Sequence, residues 1–410
     1  MSKKKRIFIS MHYMEIGGAE ISLIGLLQAI DYTRYNVDLF IHSHQGELMR
    51  FIPKEVNLLP EIKSYAYIER PIVDALCHGE WKIVYGRLKA KWQFRQYLKR
   101  KNPKEGSAVL QYVARNVEPY LPNLYKYGEY DLAVSFLHPH NYVLSKVNAQ
   151  KKICWIHTDY STIDIDAKLE LLIWSEYNHI MSISSEASKT FLKVFPSLSS
   201  KVMIMENILS PRFVKGRSEL MLQSEVEKEM PHEENVIRLL SVGRFSEAKN
   251  YDNVPDICKR VNVLLFTLNT SLSVKWYIIG YGDESLILQK IAESGMEKNV
   301  IILGKRSNPY PYIKACDIYV QPSRYEGKSV TVREAQMLGK PVAVTNYATA
   351  SSQIKDGVDG CIVPMDNEGC ARGLAEFILD KELQNDIVDY LQTHDYGNET
   401  EIEKLYKLIL

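Results

Sequence analysis

The chain has 410 residues, which is more than one ordinary hydrophobic core accommodates, so two domains are expected. Its hydrophobic fraction of 46% and charged fraction of 25% are typical of a soluble globular enzyme, and the net charge of +1 argues against a nucleic-acid partner. Six cysteines lack zinc-site spacing and no apolar run approaches the roughly 20 residues of a membrane span, which predicts a cytoplasmic protein with reduced thiols.

The first half of the chain alternates short apolar runs with helical patterns. Residues 6–11 (RIFISM) and 35–42 (YNVDLFIH) are predicted strands, and residues 19–30 between them carry apolar side chains at helical spacing. Further strands are predicted at 130–137, 151–158 and 179–185. A strand–helix–strand unit at the start of a chain favours a parallel sheet with helices on both faces.

A polar, acidic stretch at 216–235 interrupts this pattern and indicates a change of domain. A second series of strands is predicted after it, at 237–245, 273–284, 299–304, 316–323 and 341–346. Two such series predict an α/β fold of two Rossmann-like domains, each with a doubly wound parallel sheet, facing each other across a cleft. The domains are expected to comprise residues 1–208 and 209–395.

The most informative segment is EGKSVTVREAQMLGKPVAVT, from Glu326 to Thr345. A strand and a turn precede it, and Ser329 to Leu338 is a predicted helix that ends before Gly339. The first amides of such a helix form a site for a diphosphate because they carry a partial positive charge. These amides belong to Gly327, Lys328, Ser329 and Val330.

Glu326 and Glu334 flank this predicted anion site. Glu326 precedes the helix and is placed to face a sugar hydroxyl. Glu334 lies about 8–10 Å further along by helical rise and is placed to accept hydrogen bonds from ribose hydroxyls. The alternative is that Glu334 is a solvated helix residue and Glu326 an ordinary turn charge.

This segment resembles the E-x7-E motif of family 4 retaining glycosyltransferases, which have the GT-B fold, and the resemblance covers essentially the whole chain in motif order. It implies transfer of a hexosyl group, with retention, from a nucleoside-diphosphate sugar to a hydroxyl of a glycan or lipid-linked sugar. A UDP-sugar is the first choice of donor because no feature selects guanine. Neither a metal nor another cofactor is expected. In this family the last helix crosses back to the first domain, so residues 396–410 are expected to do so and to complete the chain.

The resemblance implies a catalytic set of Glu326, His157, Arg244 and Lys249. Arg244 and Lys249 would neutralise the charge that develops on the leaving phosphates. His157 would face the donor sugar, while the leaving phosphate assists deprotonation of the acceptor. The alternatives are a structural histidine and two surface cations.

Further donor-binding residues are implied by position. Leu303, Gly304 and Lys305 would hold the base through backbone groups, whereas Tyr310 and Tyr312 are interpreted as packing residues. The glycine turns at Gly17 and Gly18 and at Gly280 and Gly282 would lie beside the diphosphate and the nucleotide, although a glycine turn is also ordinary backbone geometry. Asp164 and Asp166 spell D-x-D, and this three-residue match is rejected as a metal site.

The segment from Trp81 to Lys104 contains nine Lys or Arg residues, no acid and several aromatic residues. One interpretation is a basic amphipathic helix on an anionic membrane surface, which would place the protein on the inner face of the membrane, where lipid-linked acceptors lie. The other is a helix whose aromatic face packs in the N-terminal domain while its lysines face water.

Two rival functions stay open. One is a GT-B-like sugar-nucleotide epimerase, which would need further carboxylates and histidines for elimination chemistry. The other is a non-catalytic nucleotide-sugar-binding subunit of a transferase complex.

Overall fold

The computed structural model describes residues 4–15, 17–101, 108–326 and 329–409. The chain divides into two compact units. Unit 1 comprises Met1–Ile208 and Asn398–Leu410, and unit 2 comprises Leu209–Gly397. The chain therefore leaves unit 1 once and returns to it for its last helix.

Unit 1 is built on a sheet of seven parallel strands. The strands are β1 (Lys5–Met11), β2 (Tyr35–Ile41), β3 (Asn57–Leu58), β4 (Glu129–Ser135), β5 (Asn148–Ile156), β6 (His179–Ser182) and β7 (Val202–Ile204). Their order across the sheet is β3-β2-β1-β4-β5-β6-β7. The central strands are buried over consecutive residues, as expected for a parallel sheet covered on both faces.

Eight helices connect these strands. They are α1 (Gly18–Ala29), α2 (Lys63–Ala66), α3 (Ile72–Cys77), α4 (Trp81–Lys101), α5 (Val109–Val117), α6 (Asn141–Lys146), α7 (Ala167–Glu176) and α8 (Ser185–Val194). Four of them, α2 to α5, lie in a region where the sequence shows little regular patterning. They pack around Tyr65, Ile83 and Val117, which are all buried.

Unit 2 contains six parallel strands in the order β10-β9-β8-β11-β12-β13. The strands are β8 (Val236–Val242), β9 (Ser273–Ile279), β10 (Val300–Gly304), β11 (Ile318–Gln321), β12 (Val342–Thr345) and β13 (Cys361–Val363). The helices are α9 (Pro211–Ser218), α10 (Gln223–Glu229), α11 (Val254–Thr267), α12 (Ser285–Ser294), α13 (Tyr310–Ala315), α14 (Val330–Met337), α15 (Ala350–Gln353), α16 (Asn367–Leu379) and α17 (Lys381–Thr393).

The last helix, α18 (Ile402–Ile409), belongs to unit 1. Tyr406 on this helix stacks on Tyr35 with ring centroids 4.4 Å apart, and its hydroxyl accepts a hydrogen bond of 2.7 Å from the backbone N–H of Asp31. Asn398 Nδ2 donates to the backbone carbonyl of Asn207 at 3.0 Å. The points where the chain leaves and re-enters unit 1 are therefore adjacent.

The predicted α/β class with two doubly wound parallel sheets is confirmed. The acidic stretch at 216–235 is not a linker, because it includes helix α10 and lies within unit 2. Strands β3, β7 and β13, of two, three and three residues, have no counterpart in the sequence prediction because they are too short to show a pattern. Within the described residues, no helix has the length and apolar character needed to cross a bilayer.

Candidate functional site

In unit 2 the loops that follow β8 and β11 lie side by side. These strands are neighbours where the strand order reverses, which is where ligands bind in doubly wound sheets. Lys249 comes from the first loop and Glu326 from the second, and Lys249 Nζ lies 2.5 Å from Glu326 Oε1. The sheet thus brings together two of the predicted catalytic residues that are far apart in sequence.

Glu326 is at the centre of a hydrogen-bond network. Besides the ammonium of Lys249, its Oε1 accepts hydrogen bonds from Ser323 Oγ at 2.7 Å and Gln321 Nε2 at 3.1 Å. The Glu326 side chain is 13% exposed. Three donors therefore fix the orientation of a largely buried carboxylate, which is what a group that must meet one substrate hydroxyl requires.

Arg244 lies in the same loop as Lys249 but differs from it in environment. It is exposed, and its guanidinium forms no ion pair with any carboxylate of the described residues, whereas Lys249 is occupied by Glu326. Arg244 is therefore the cation of this loop that is available to a charged ligand without loss of an internal contact.

Helix α14 begins one residue later and ends one residue earlier than the sequence predicts, with Ser329 as its N-cap. The Ser329 amide donates to Gln353 Oε1 at 2.9 Å, and Gln353 Nε2 donates to the Ser329 carbonyl at 2.6 Å. A phosphate at this amide would have to displace Gln353. Val330 is 41% exposed, and Gly327 and Lys328 lie outside the described residues.

Glu334 is 4% exposed, so the interpretation of this residue as a solvated helix charge is wrong. Its Oε1 accepts a hydrogen bond of 2.7 Å from the hydroxyl of Tyr310, which is itself buried. Burial raises the pKa of Glu334 to about 7, although the Tyr310 hydrogen bond and the charge of Arg217 act in the opposite direction. Its contact with ribose hydroxyls stays a prediction.

Gly280 and Gly282 are required by close packing of the loop after β8. A Cβ on Gly280 would lie 2.0 Å from the carbonyl oxygen of Gly243, and Gly282 has a φ of +130° beside Phe245. Backbone packing alone therefore explains why glycine occupies these two positions, whether or not a nucleotide binds there.

The residues proposed to hold the base lie at the end of β10. Leu303 and Gly304 are partly buried, and Lys305 is exposed with its ammonium 5.5 Å from the ring centroid of Tyr281. Their backbone contact with a base stays a prediction.

In unit 1, Gly17 is the N-cap of α1 and Gly18 is its first residue. A Cβ on Gly17 would lie 2.2 Å from Glu20 Oε2, whereas a Cβ on Gly18 would meet nothing within 4 Å. Burial raises the pKa of Glu20. The turn therefore needs a glycine at position 17 to leave room for Glu20, and position 18 has no comparable steric requirement.

His157 follows β5 at the carboxyl end of the unit 1 sheet. Its ring lies against Phe136 and Trp155, with centroids 4.6 Å and 6.1 Å away, and its Nε2 is buried without a hydrogen-bond partner among the described residues. Burial lowers the pKa of His157 to about 3. The ring is neutral at physiological pH, and its position near the donor sugar and near the residues of unit 2 stays a prediction.

Helix α4 contradicts part of the packing interpretation of residues 81–104. Trp81, Tyr85, Leu88 and Trp92 are 66%, 57%, 53% and 61% exposed. Their spacing places them on one side of the helix, while Ile83, Val84 and Ala90 are buried on the other.

Two aromatic side chains near the carboxyl end of α4 do pack against a neighbouring helix. Phe94 and Tyr97 lie 6.1 Å and 5.8 Å from the ring of Tyr112. Residues 102–104 of the predicted segment lie outside the described residues.

Several residues that support the site were missed from the sequence. Gln321 and Ser323 hold Glu326, and the available signal was the polar end of the buried strand in YVQPS. Gln353 brackets Ser329 from a separate helix, and nothing in the local sequence indicates this contact. Tyr310 was correctly interpreted as a packing residue, but nothing in the local sequence indicates its hydrogen bond to Glu334.

Residues 223–394 match the family described as Glycosyl transferases group 1. This stretch lies within unit 2 and includes Arg244, Lys249, Glu326 and Glu334. Unit 2 is therefore the part of the chain in which the similarity to group 1 glycosyl transferases lies.

A Campylobacter jejuni protein, named N-acetylgalactosamine-N,N'-diacetylbacillosaminyl-diphospho-undecaprenol 4-alpha-N-acetylgalactosaminyltransferase, is 31% identical over 151 residues. The match covers 36% of this chain and 38% of that protein. The match also covers less than half the length of two other curated relatives, 35% of a Klebsiella pneumoniae protein and 42% of a Rhizobium meliloti protein.

Two solved structures share the fold over nearly the whole chain. A glycosyltransferase from Rickettsia africae has a TM-score of 0.64 at 15% identity and covers 100% of this chain and 98% of its own. HepE from Anabaena, in complex with UDP and glucose, has a TM-score of 0.61 at 15% identity and covers 98% of both chains. At this identity the likeness establishes the fold, and the predicted GT-B class is confirmed.

Proposed function

We propose that this chain is a retaining glycosyltransferase of the family 4 type, which transfers a hexosyl group from a UDP-sugar to a hydroxyl of a glycan or lipid-linked sugar, without a metal ion or other cofactor. The observation that carries the proposal is the contact of Lys249 with Glu326 at the point of strand-order reversal, inside the stretch of group 1 type. HepE, which shares the fold, was crystallised with UDP and glucose, and the C. jejuni relative is named as a glycosyltransferase.

The roles of the residues follow from their environments. Arg244 is exposed and free to meet a diphosphate, and Lys249 adds a second positive charge close to Glu326. Two fixed cations would stabilise the charge that develops on the leaving phosphate. Glu326, held by Ser323 and Gln321, would accept a hydrogen bond from a hydroxyl of the transferred sugar.

The proposal is tested by release of UDP from a panel of UDP-sugars. We expect Glu326→Ala to lower the rate by about 10²–10³-fold, the loss typical of a fixed electrostatic contact to the transition state. Glu247→Ala is the matched control, because Glu247 is an exposed glutamate in the loop that also carries Lys249. Equal rates for Glu326→Ala and wild type would refute the role of Glu326.

The product and the cofactor requirement are tested separately. The anomeric configuration of the product, read from its proton couplings, should equal that of the donor. Activity should survive EDTA. A product of inverted configuration would refute the retaining mechanism while leaving transfer intact.

The rival functions give different results in the same assay. A nucleotide-sugar-binding subunit would bind UDP and release none from any donor across a broad panel of acceptors. An epimerase would change the configuration of the sugar and leave it attached to the nucleotide.

We also propose that α4 contacts an anionic membrane surface on the cytoplasmic side, which would bring the site to a lipid-linked acceptor. The helix contains no acidic residue, and its exposed face combines aromatic side chains with lysines such as Lys89 and Lys91. Aromatic residues at the level of the lipid headgroups and lysines that attract anionic lipid are the two features of an interfacial helix.

Co-sedimentation with vesicles of phosphatidylglycerol and phosphatidylcholine tests this contact. Charge reversal of Lys89, Lys91 and Arg95 should weaken binding at least about a hundredfold, because loss of the three positive charges alone costs about 3 kcal/mol at about 1 kcal/mol per charge. Reversal of Lys168, Lys189 and Lys193, which are exposed elsewhere in unit 1, is the control and should have much less effect. Equal sedimentation of the two triple variants would refute the surface contact.

A further inference from the structure

Unit 1 contains a cavity of about 570 Å³ at the carboxyl ends of its strands. Its wall includes residues that directly follow three neighbouring strands, β1, β4 and β5. These residues are His12, His138 and His157, and the first two lie on either side of the point where the strand order of this sheet reverses. This position is one at which doubly wound sheets bind ligands. Of the three histidines, only His157 belongs to the predicted catalytic set.

His138 is held in the wall by a buried carboxylate. Its Nε2 contacts Glu170 Oε1, and Trp174 Nε1 donates to Glu170 Oε2. The Glu170 side chain is 5% exposed and that of His138 is 28% exposed. Both oxygens of the carboxylate are therefore occupied, and the imidazole has one fixed orientation.

The partner of His138 also determines which of its nitrogens is free. Burial raises the pKa of Glu170, but the charge and hydrogen bond of His138 and the hydrogen bond from Trp174 outweigh this effect and lower it. Because ionised Glu170 can only accept, His138 Nε2 carries a proton, and Nδ1 is the ring nitrogen that is left to face a ligand. No described residue hydrogen-bonds to this Nδ1.

The carboxylates of the wall already have partners. Glu69 Oε1 lies 2.5 Å from His12 Nδ1, and Glu170 pairs with His138. Arg87 is the single Lys or Arg among the described residues of the wall, and its Nη1 donates to the backbone carbonyls of Tyr67 and Arg70 while its charge acts on Glu69. The described wall therefore sets two carboxylates against one guanidinium and has no further Lys or Arg to offset the charge of an anionic ligand.

The remaining wall is largely aromatic and aliphatic. Tyr13, Tyr142, Trp155 and Trp174 contribute aromatic surface. A mainly apolar cavity with a few oriented polar groups is the usual form of a site for a small molecule. A sugar ring has apolar C–H faces and hydroxyls at its rim, and a hydroxyl pairs with imidazole in either protonation state.

We infer that this cavity binds the ring of an uncharged sugar and that His138 Nδ1, oriented by Glu170, forms a hydrogen bond with one of its hydroxyls. The inference rests on the proposed function in so far as the bound ring is that of the acceptor. His138 is then a residue that selects the acceptor, and Glu170 is a positioning residue that acts through it.

The probes are methyl glycopyranosides of gluco, galacto and manno configuration, each compared with its uronate, in which a carboxylate replaces the hydroxymethyl group at C6. Saturation-transfer NMR on the full chain without donor measures their binding. We expect at least one neutral glycoside to bind at millimolar concentration and its uronate to bind at least about tenfold more weakly, as expected when no further cation compensates the charge.

His138→Gln is the informative variant. The glutamine amide can keep the contact with Glu170 but offers no hydrogen-bonding atom at the position of Nδ1. The dissociation constant should rise about three- to tenfold, the equivalent of one neutral hydrogen bond. His179→Gln is the control, because His179 is also partly buried in unit 1 but begins a strand and so lies at the opposite edge of the sheet.

A second variant does not depend on the histidine. Ile163→Trp, at a partly exposed position of the wall, should fill the cavity and abolish binding of the glycosides. Cooperative unfolding of unit 1 in urea, read through the resonances of its own tryptophans, would show that unit 1 of the variants is folded.

The inference is overturned if no neutral glycoside binds, if a uronate binds as tightly as its neutral counterpart, or if His138→Gln binds like wild type. Failure of the proposed function has a different signature. Glycosides would bind as described while no UDP is released from any donor.

Discussion

Replacement of Glu326 should destabilise unit 2 more than replacement of Lys249, although both changes break the same ion pair. In Lys249→Met the carboxylate keeps two donors, Ser323 Oγ and Gln321 Nε2. In Glu326→Ala the ammonium of Lys249, which is 19% exposed, loses its carboxylate, and both neutral donors lose their shared acceptor.

The magnitudes follow from these contacts. Loss of one partner from a pair that is largely buried costs about 3 kcal/mol when the remaining charge is uncompensated. With two neutral hydrogen bonds left to the carboxylate, the cost of Lys249→Met should be about 1 kcal/mol. The double variant should be less destabilised than the sum of the single variants, because the ammonium is no longer left without its carboxylate.

Urea unfolding read through fluorotryptophan NMR separates the two units. Trp276 is fully buried in β9 of unit 2, whereas the four other tryptophans belong to unit 1. The resonance of Trp276, assigned with Trp276→Phe, therefore reports the unfolding of unit 2 alone. Equal destabilisation by the two single variants would refute the view that Glu326 is the centre of this network.

Three further predictions concern single residues. Burial raises the pKa of Glu334 in the folded protein to about 7, from a value near 4.5 in the unfolded chain. Protonation of Glu334 therefore stabilises the folded state fully below pH 4.5, and this contribution to the free energy of unfolding, up to about 3 kcal/mol, is lost as the pH rises to about 7. Glu334→Gln should remove this part of the pH dependence in urea unfolding, and unchanged curves would contradict it. Burial lowers the pKa of His157 to about 3, so this residue does not titrate above pH 5. The rate of His157→Gln, measured against pH above pH 5, should therefore fall on the acid side at the same pH as the rate of the wild type. Gly280→Ala should cost about 1–3 kcal/mol through its clash with a backbone carbonyl, whereas Gly18→Ala should be neutral or stabilising in the same measurement.

The sheet strands could be predicted well because each central strand is buried over consecutive residues. RIFISM and YNVDLFIH differ from the structural strands β1 and β2 by one residue at an end. The same reasoning fails for α2 to α5, whose sequence is rich in aromatic and basic residues. Their burial depends on contacts among helices rather than on one regular apolar stripe.

The candidate site was predictable where it depends on local geometry and not where it depends on tertiary contacts. The position of Glu326 before a helix is visible in the sequence, and so is the cation at Lys249. The burial of Glu334 against Tyr310 is not, since the two residues are 24 positions apart on different helices. His138 and Glu170 are likewise 32 positions apart, and only the fold brings them into contact.

The return of the chain to unit 1 for α18 has a consequence for biosynthesis. Residues 209–397 are inserted between Ile208 and Asn398 of unit 1, so unit 2 has all its residues as soon as residue 397 has been added. Unit 1, although most of it is translated first, lacks the Tyr406 contacts until the end of α18 emerges. During synthesis unit 1 would thus lack its contacts with α18 while unit 2 folds. A ribosome stalled just before residue 398 would carry all the residues of unit 2 but an incomplete unit 1.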